Sequence, residues 1–204
     1  MSNNPEFDRW QERFAAPGFL FGTAPNAFLK SQAQLLRKGE SALAVADGEA
    51  RNGVFLAEQG LDVLSVDYSP VAQDKARGLA RERGVTVRFE LGDMANWRWP
   101  ESEFDVVAAI FVQFATPPQR QKMFAGIKRT LKPGGLLLMQ GYTPKQLDYG
   151  TGGPSDITRL YTRELLQTAF GDFSTLDIRE HDSVVAEGSG HAGMSALIDL
   201  VGRK

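Results

Sequence analysis

Ser41-Ala42-Leu43-Ala44-Val45-Ala46-Asp47-Gly48-Glu49-Ala50-Arg51-Asn52-Gly53 is the stretch that decides the fold. Its first six residues form a short apolar run, the pattern of a strand covered on both faces. A glycine-bearing turn follows. Val54, Phe55 and Leu56 then continue as a helix that Gly60 stops.

The same rhythm repeats downstream. Leu61–Asp67 reads as a second strand, Pro70 opens a helix and Gly84 closes it. Val85–Glu90 alternates as a third strand, and Phe104–Phe111 is a fourth apolar run. A helix from about Pro118 to Leu131 leads into Lys132-Pro133-Gly134-Gly135, a tight turn feeding a fifth strand, Leu136–Gln140. Strands alternating with helices give a mostly parallel sheet with right-handed crossovers. After a helix near Thr162–Phe170, the segments Phe173–Val185 and Ala192–Val201 are too close together for a helical crossover, so they predict an antiparallel hairpin.

Upstream, Phe7, Trp10, Phe14, Phe19 and Phe21 predict a short helix and loop folded onto the main body. Pro25 suits the first turn of a helix running to about Lys38, with Gly39 ending it. With no repeat or long linker, the 204 residues read as one domain, an N-terminal cap over 1–38 and an α/β core over 39–204.

Hydrophobic residues make up 42% and charged residues 24%, ordinary values for a globular chain. A net charge of −2 argues against a nucleic-acid partner. The absence of cysteine excludes disulfides, thiolate metal sites and a cysteine nucleophile, and with two histidines no metal site is expected. Met1 to Glu6 shows no signal-peptide pattern and no segment has the length of a membrane span, so a cytoplasmic protein without membrane association is expected. Oligomeric state is not legible.

Ligands in open α/β sheets bind beyond the carboxyl ends of the strands. Gly48 lets backbone approach a ligand, and the helix start beside it offers free N–H groups. Asp67, about twenty positions beyond Gly48, is placed to accept hydrogen bonds from ribose hydroxyls, although Asp also commonly caps a helix. These two features leave a nicotinamide cofactor and S-adenosylmethionine both open. Gly92-Asp93-Met94 after strand three, an acceptor and an apolar wall for adenine, and the Leu131–Gly135 turn favour the second.

Together these residues resemble the class I S-adenosylmethionine-dependent methyltransferases. A narrower resemblance, to bacterial relatives of the tellurite-resistance and thiopurine methyltransferases, rests on five segments: Trp10–Phe14, Phe21–Leu29, Glu49–Asn52, Tyr149–Pro154 and Glu187–Gly193. The resemblance implies a Rossmann-like seven-stranded sheet, order 3-2-1-4-5-7-6, strand seven antiparallel, with helices on both faces. It implies S-adenosylmethionine as cofactor. Ala46, Asp47, Gly48 and Asn52 would hold its methionine part, Asp67 with Tyr68 the ribose, and Asp93 with Met94 the adenine. Ile110 and Phe111 would lie beside the methyl donor. The family's acidic residue before the first glycine is missing, with Ala44 and Ala46 at those places, and a third family glycine is Ala50; Asp47 is the candidate to replace the carboxylate.

The expected activity is methyl transfer to a small molecule, a thiol or other soft nucleophile among the candidates. A cofactor-binding domain without catalysis and a nicotinamide-dependent oxidoreductase stay as alternatives. A hydroxyl or amine acceptor would need a base. His191, in a glycine-flanked turn, reads equally as substrate contact or base and as a turn residue; Tyr149 offers a phenol on a glycine-rich lid. Trp10, Arg13, Phe21, Gly22, Arg51, Gly152 and Gly153 are candidates for the acceptor side or its lid, although core packing is the commoner fate of aromatics and Arg51 equally suits a structural ion pair. His181, among charged neighbours, is expected to be solvated; Trp97 and Trp99 are expected to pack.

Overall fold

The computed structural model describes residues 5–188 and 190–204. Met1 to Asn4, most of the stretch read for a signal peptide, and Ser189 of the expected turn lie outside them. The elements, in chain order, are α1 (Pro5–Ala15), α2 (Ala27–Ser31), β1 (Ser41–Val45), α3 (Arg51–Glu58), β2 (Asp62–Asp67), α4 (Pro70–Glu82), β3 (Arg88–Leu91), β4 (Phe104–Ile110), α5 (Pro117–Thr130), β5 (Leu131–Tyr142), α6 (Gln146–Tyr149), α7 (Arg163–Phe170), β6 (Thr175–Glu187) and β7 (His191–Arg203).

The strands form one seven-stranded sheet in the order β3-β2-β1-β4-β5-β7-β6. Strands β1 to β5 pair in parallel, and β7 runs antiparallel to both β5 and β6. This is the expected topology. Side chains alternate across each strand. Val107, Ala109, Leu137 and Met139 face one core with Met123 and Ile127 of α5 and Phe170 of α7. Val106, Ala108, Leu136 and Leu138 face the other, with Phe28 and Leu29 of α2 and Phe55 and Leu56 of α3. Both faces are covered, which is why the central strands read as continuous apolar runs.

Three expectations need correction. The helix expected from Pro25 to Lys38 is α2 alone, followed by a single 3₁₀ turn at Ala33–Leu35. Asn26 is its N-cap, accepting a hydrogen bond from the Leu29 N–H, so Pro25 stays outside, and the Gln32 N–H already closes onto Leu29 and Lys30. Strand β3 starts only at Arg88, because the Val85 N–H is spent on the Ala80 carbonyl at the end of α4. The Lys132–Gly135 turn lies inside β5 as a bulge: pairing jumps from Phe104↔Leu131 to Val106↔Leu136, and Gly134 takes φ +77°.

Helix α1 lies on α4. Gln11 accepts from the Ser69 hydroxyl at 3.1 Å, and Lys75 Nζ donates to the carbonyls of Ala16 and Gly18 at 2.7 Å each. The aromatic N-terminal segment is thereby held over the carboxyl ends of β1 and β2. No helix among the described residues is long and apolar enough to cross a membrane.

Candidate active site

The backbone of the loop after β1 is contorted. Ala46 (φ 48°), Gly48 (φ 57°) and Ala50 (φ 63°) are all left-handed. For an alanine this costs about 1–2 kcal/mol, so other contacts must hold it. Asp47 Oδ2 accepts from the Gly53 N–H at 3.0 Å and the Ser65 hydroxyl at 2.9 Å. Asp67 Oδ2, at the end of β2, accepts from the Gly48 N–H at 2.9 Å, and its Oδ1 from the Ser69 N–H at 2.8 Å. Glu49 is buried and accepts from the Leu20 N–H at 2.7 Å and from Lys75 at 3.0 Å, tying the loop to the N-terminal segment.

Burial pushes both loop carboxyls up. Asp47 rises to about 7 against the opposing hydrogen bonds from Ser65 and Gly53. Asp67 rises to about 6 for the same reason, despite the N–H donors of Ser69 and Gly48. A cation delivered here would relieve both.

Beyond the loop opens a cavity. Ala46, Asp47, Gly48, Arg51 and Asn52 form one wall. Asp67 and Tyr68 follow, then Gly92, Asp93 and Met94. Ile110 and Phe111 form the floor at the end of β4, and Glu6, Trp10, Phe14 and Phe21 the roof. All ten residues expected to hold the cofactor line this one cavity. Asp93 is braced by the Ala95 N–H at 3.0 Å and the Asn96 amide at 2.9 Å, beside the buried Met94. The set fits S-adenosylmethionine: backbone and a carboxylate for the amino-acid part, Asp67 for hydroxyls, an acceptor and thioether surface for a purine.

A second cavity adjoins the first and shares Glu6, Trp10, Phe21, Phe111, Phe114 and His191 with it. Its other walls include Arg9, Arg13, Tyr142, Arg159, Gly152 and Gly153. Phe111, left-handed at φ 55°, stacks on Tyr142 with ring centroids 4.7 Å apart. His191 lies 4.4 Å from the ring centroids of both Phe21 and Phe111. Burial, with the charges of Arg51 and Arg13, pushes its imidazole down to about 3, so it is neutral. Among the described residues, His191 Nδ1 and the Tyr142 hydroxyl are buried without hydrogen-bond partners, polar atoms of the kind a ligand satisfies.

Other candidates fall elsewhere. Tyr149 lines neither cavity: its hydroxyl donates to Asp182 at 3.0 Å. Gly22 lies on a separate groove, where its backbone meets the hairpin turn so closely that a Cβ on Gly188 would overlap the Gly22 nitrogen at 2.6 Å. Arg51 lines the cofactor cavity while its guanidinium pairs with Glu187. His181 is partly exposed and also contacts Asp199 at 3.0 Å and Ser183 at 2.8 Å on the same face of the hairpin. Trp97 and Trp99 pack edge to face, as expected. Among the described residues no cluster of three or more His, Asp or Glu could hold a metal. The contributions of Glu6, Phe114, Tyr142 and Arg159 carry no local sequence signal, because each belongs to an element whose neighbours only the tertiary fold defines.

Residues 42–135, from β1 to the β5 bulge, match the family model described as methyltransferase domain. An uncharacterised methyltransferase of Synechocystis sp. is 31% identical over 102 residues, 50% of this chain and 46% of that protein. The 2-heptyl-1-hydroxyquinolin-4(1H)-one methyltransferase of Mycobacteroides abscessus is 25% identical over 162 residues, 76% of this chain and 71% of that one. The chain thus spans about half the length of the first and most of the second. A solved S-adenosylmethionine-dependent methyltransferase of Methanosarcina mazei has the same fold, with a TM-score of 0.68 at 17% identity over 88% of this chain and 98% of that one. Just under half of this chain, from β1 to the β5 bulge, thus matches a methyltransferase domain, its sheet has the fold of solved S-adenosylmethionine-dependent methyltransferases, and together these imply S-adenosylmethionine as cofactor.

Proposed function

We propose that the chain transfers a methyl group from S-adenosylmethionine to a small aromatic acceptor bound in the second cavity. The observation that carries this reading is the wall the two cavities share, formed by Glu6, Trp10, Phe21, Phe111, Phe114 and His191. When bound, the cofactor supplies an electrophilic methyl group on a sulfonium. The chain's own residues do the rest. The loop from Ala46 to Asn52 and Asp67 orient the donor, and the aromatic roof keeps water out. Phe111 and Tyr142 offer ring faces to a planar acceptor.

Neutral His191 gives the acceptor atom a hydrogen-bonding partner. A base held this far below neutral pH removes protons poorly from a weak acid. The nucleophile is therefore a soft or readily ionised group, such as a thiol or an acidic hydroxyl. The relative from Mycobacteroides abscessus, whose named substrate is a 1-hydroxy ring compound, supports this class. The narrower resemblance to tellurite-resistance and thiopurine methyltransferases agrees with a soft nucleophile, and two of the segments that carry it, at Phe21 and His191, meet at the shared wall. The test is a labelled-methyl screen over aromatic thiols, phenols, N-hydroxy heterocycles and tellurite. Transfer to a ring thiol or acidic hydroxyl is expected. Tight binding of S-adenosylhomocysteine with no transfer to any of them would favour a cofactor-binding domain without catalysis.

A further inference from the structure

We infer that Arg13 is an anion anchor in the second cavity, and that the acceptor is an aromatic compound bearing a carboxylate. The inference rests on that cavity being the acceptor site. Three guanidinium groups line it, Arg9, Arg13 and Arg159, against two carboxylates, Glu6 and Asp156. Both carboxylates are drawn to Arg159, Glu6 at 3.2 Å and Asp156 at 3.8 Å, and Glu6 also reaches Arg9 at 4.0 Å. Among the described residues no carboxylate lies within ion-pair distance of Arg13, and residues 1–4 and 189 include no acidic side chain.

Arg13 is also half-buried, with its guanidinium carbon 4.5 Å from the centroid of the Trp10 ring. Burial and the neighbouring charge of Arg9 both disfavour its cation. A half-buried guanidinium with no counter-ion, on the wall of an aromatic cavity, is matched by a bidentate acid group on the ligand. The rings of Trp10, Phe111 and Tyr142 would hold the aromatic body while Arg13 takes the acid. His191 is left for the nucleophile.

The test compares 2-naphthoate with neutral 2-naphthamide by calorimetry, on the full chain saturated with S-adenosylhomocysteine. Naphthoate is expected to bind at least tenfold more tightly. Arg13→Met, which keeps the apolar stem, is expected to bring naphthoate down to the level of the amide, and Arg13→Lys to keep part of the preference. Affinity for S-adenosylhomocysteine stays as in the wild type and shows that the variants fold. Equal affinity for the two probes, or a preference that survives Arg13→Met, overturns the inference. Failure of both probes on a chain that binds S-adenosylhomocysteine overturns the acceptor cavity and the inference with it. Failure of S-adenosylhomocysteine itself contradicts the cofactor reading on which both depend.

Discussion

Arg51, the first residue of α3, and Glu187, the last of β6, form an ion pair at 2.6 Å with side chains only 7% and 10% exposed. The pair fastens the hairpin that carries His191 to the helix that follows the cofactor loop. Glu187 also accepts from the Asn26 amide and the Ala27 N–H, both at 3.0 Å, so three segments distant in sequence converge on one carboxylate. Glu187→Ala leaves a buried guanidinium without its counter-ion and with only the Ala24 carbonyl to bind, which costs about 3–5 kcal/mol. Chemical denaturation is expected to show that loss; a change under about 1 kcal/mol would mean that water replaces the carboxylate.

Gly53 is required by Asp47. A Cβ at residue 53 would overlap Asp47 Oδ2, which is fixed by the Gly53 N–H and the Ser65 hydroxyl. Gly53→Ala is therefore expected to cost about 2 kcal/mol in thermal unfolding and to weaken S-adenosylhomocysteine binding, although alanine is the better helix former. A stabilised variant would show that the loop does not depend on this anchor.

Asp47 at about 7 and Asp67 at about 6 lie well above the roughly 3.9 of an unfolded aspartate. Between about pH 4 and 7 the folded chain binds more protons through them than the unfolded chain, so the stability they confer is present in acid and lost as pH rises through 6 to 7. His191, held at about 3, works in the opposite direction: its contribution is lost as pH falls below about 6.5. Asp47→Asn is expected to flatten the first trend, and His191→Gln the second, in denaturation series across pH. The ammonium of S-adenosylmethionine favours ionised Asp47, so binding near pH 6 should release protons. Calorimetry in buffers of different ionisation heat measures this, and zero release would place the ammonium elsewhere.

Tyr149 and His191 are separated by one substitution each. Tyr149→Phe removes an exposed hydrogen bond to Asp182 and a contact of its hydroxyl with Lys145. Its effect is expected within about 0.5 kcal/mol in stability, with methyl transfer unchanged. His191→Ala opens a gap in the shared wall and is expected to lower transfer at least tenfold, well beyond its effect on cofactor affinity. The reverse order of effects would return the catalytic role to Tyr149.

The sheet and the gathering of the expected cofactor residues around one cavity were legible because local pattern determines them. Buried parallel strands read as apolar runs, and each strand end delivers its residue, Asp67, Asp93 or Phe111, to the same edge. Ala50 shows why the family prefers glycine there: the position is left-handed, and the alanine is held by its neighbours. Asp47 is more constrained than the sequence suggests, since one of its oxygens is committed to Ser65 and Gly53. The acceptor side was less legible. Phe114, Tyr142 and Arg159 meet Trp10 and His191 only through contacts between distant segments, which no periodicity encodes. The helix after Pro25 is shorter than its sequence pattern suggests because Asn26 caps one position later and the chain turns at Gln32.

A structure with S-adenosylhomocysteine bound tests the central claim most directly. The account requires the adenine against Met94 and Asp93, the ribose at Asp67, and the sulfur beside Phe111, facing the second cavity across the wall that holds His191. A ligand whose sulfur points away from that wall, or which binds outside the cavity under Trp10 and Phe21, would contradict it.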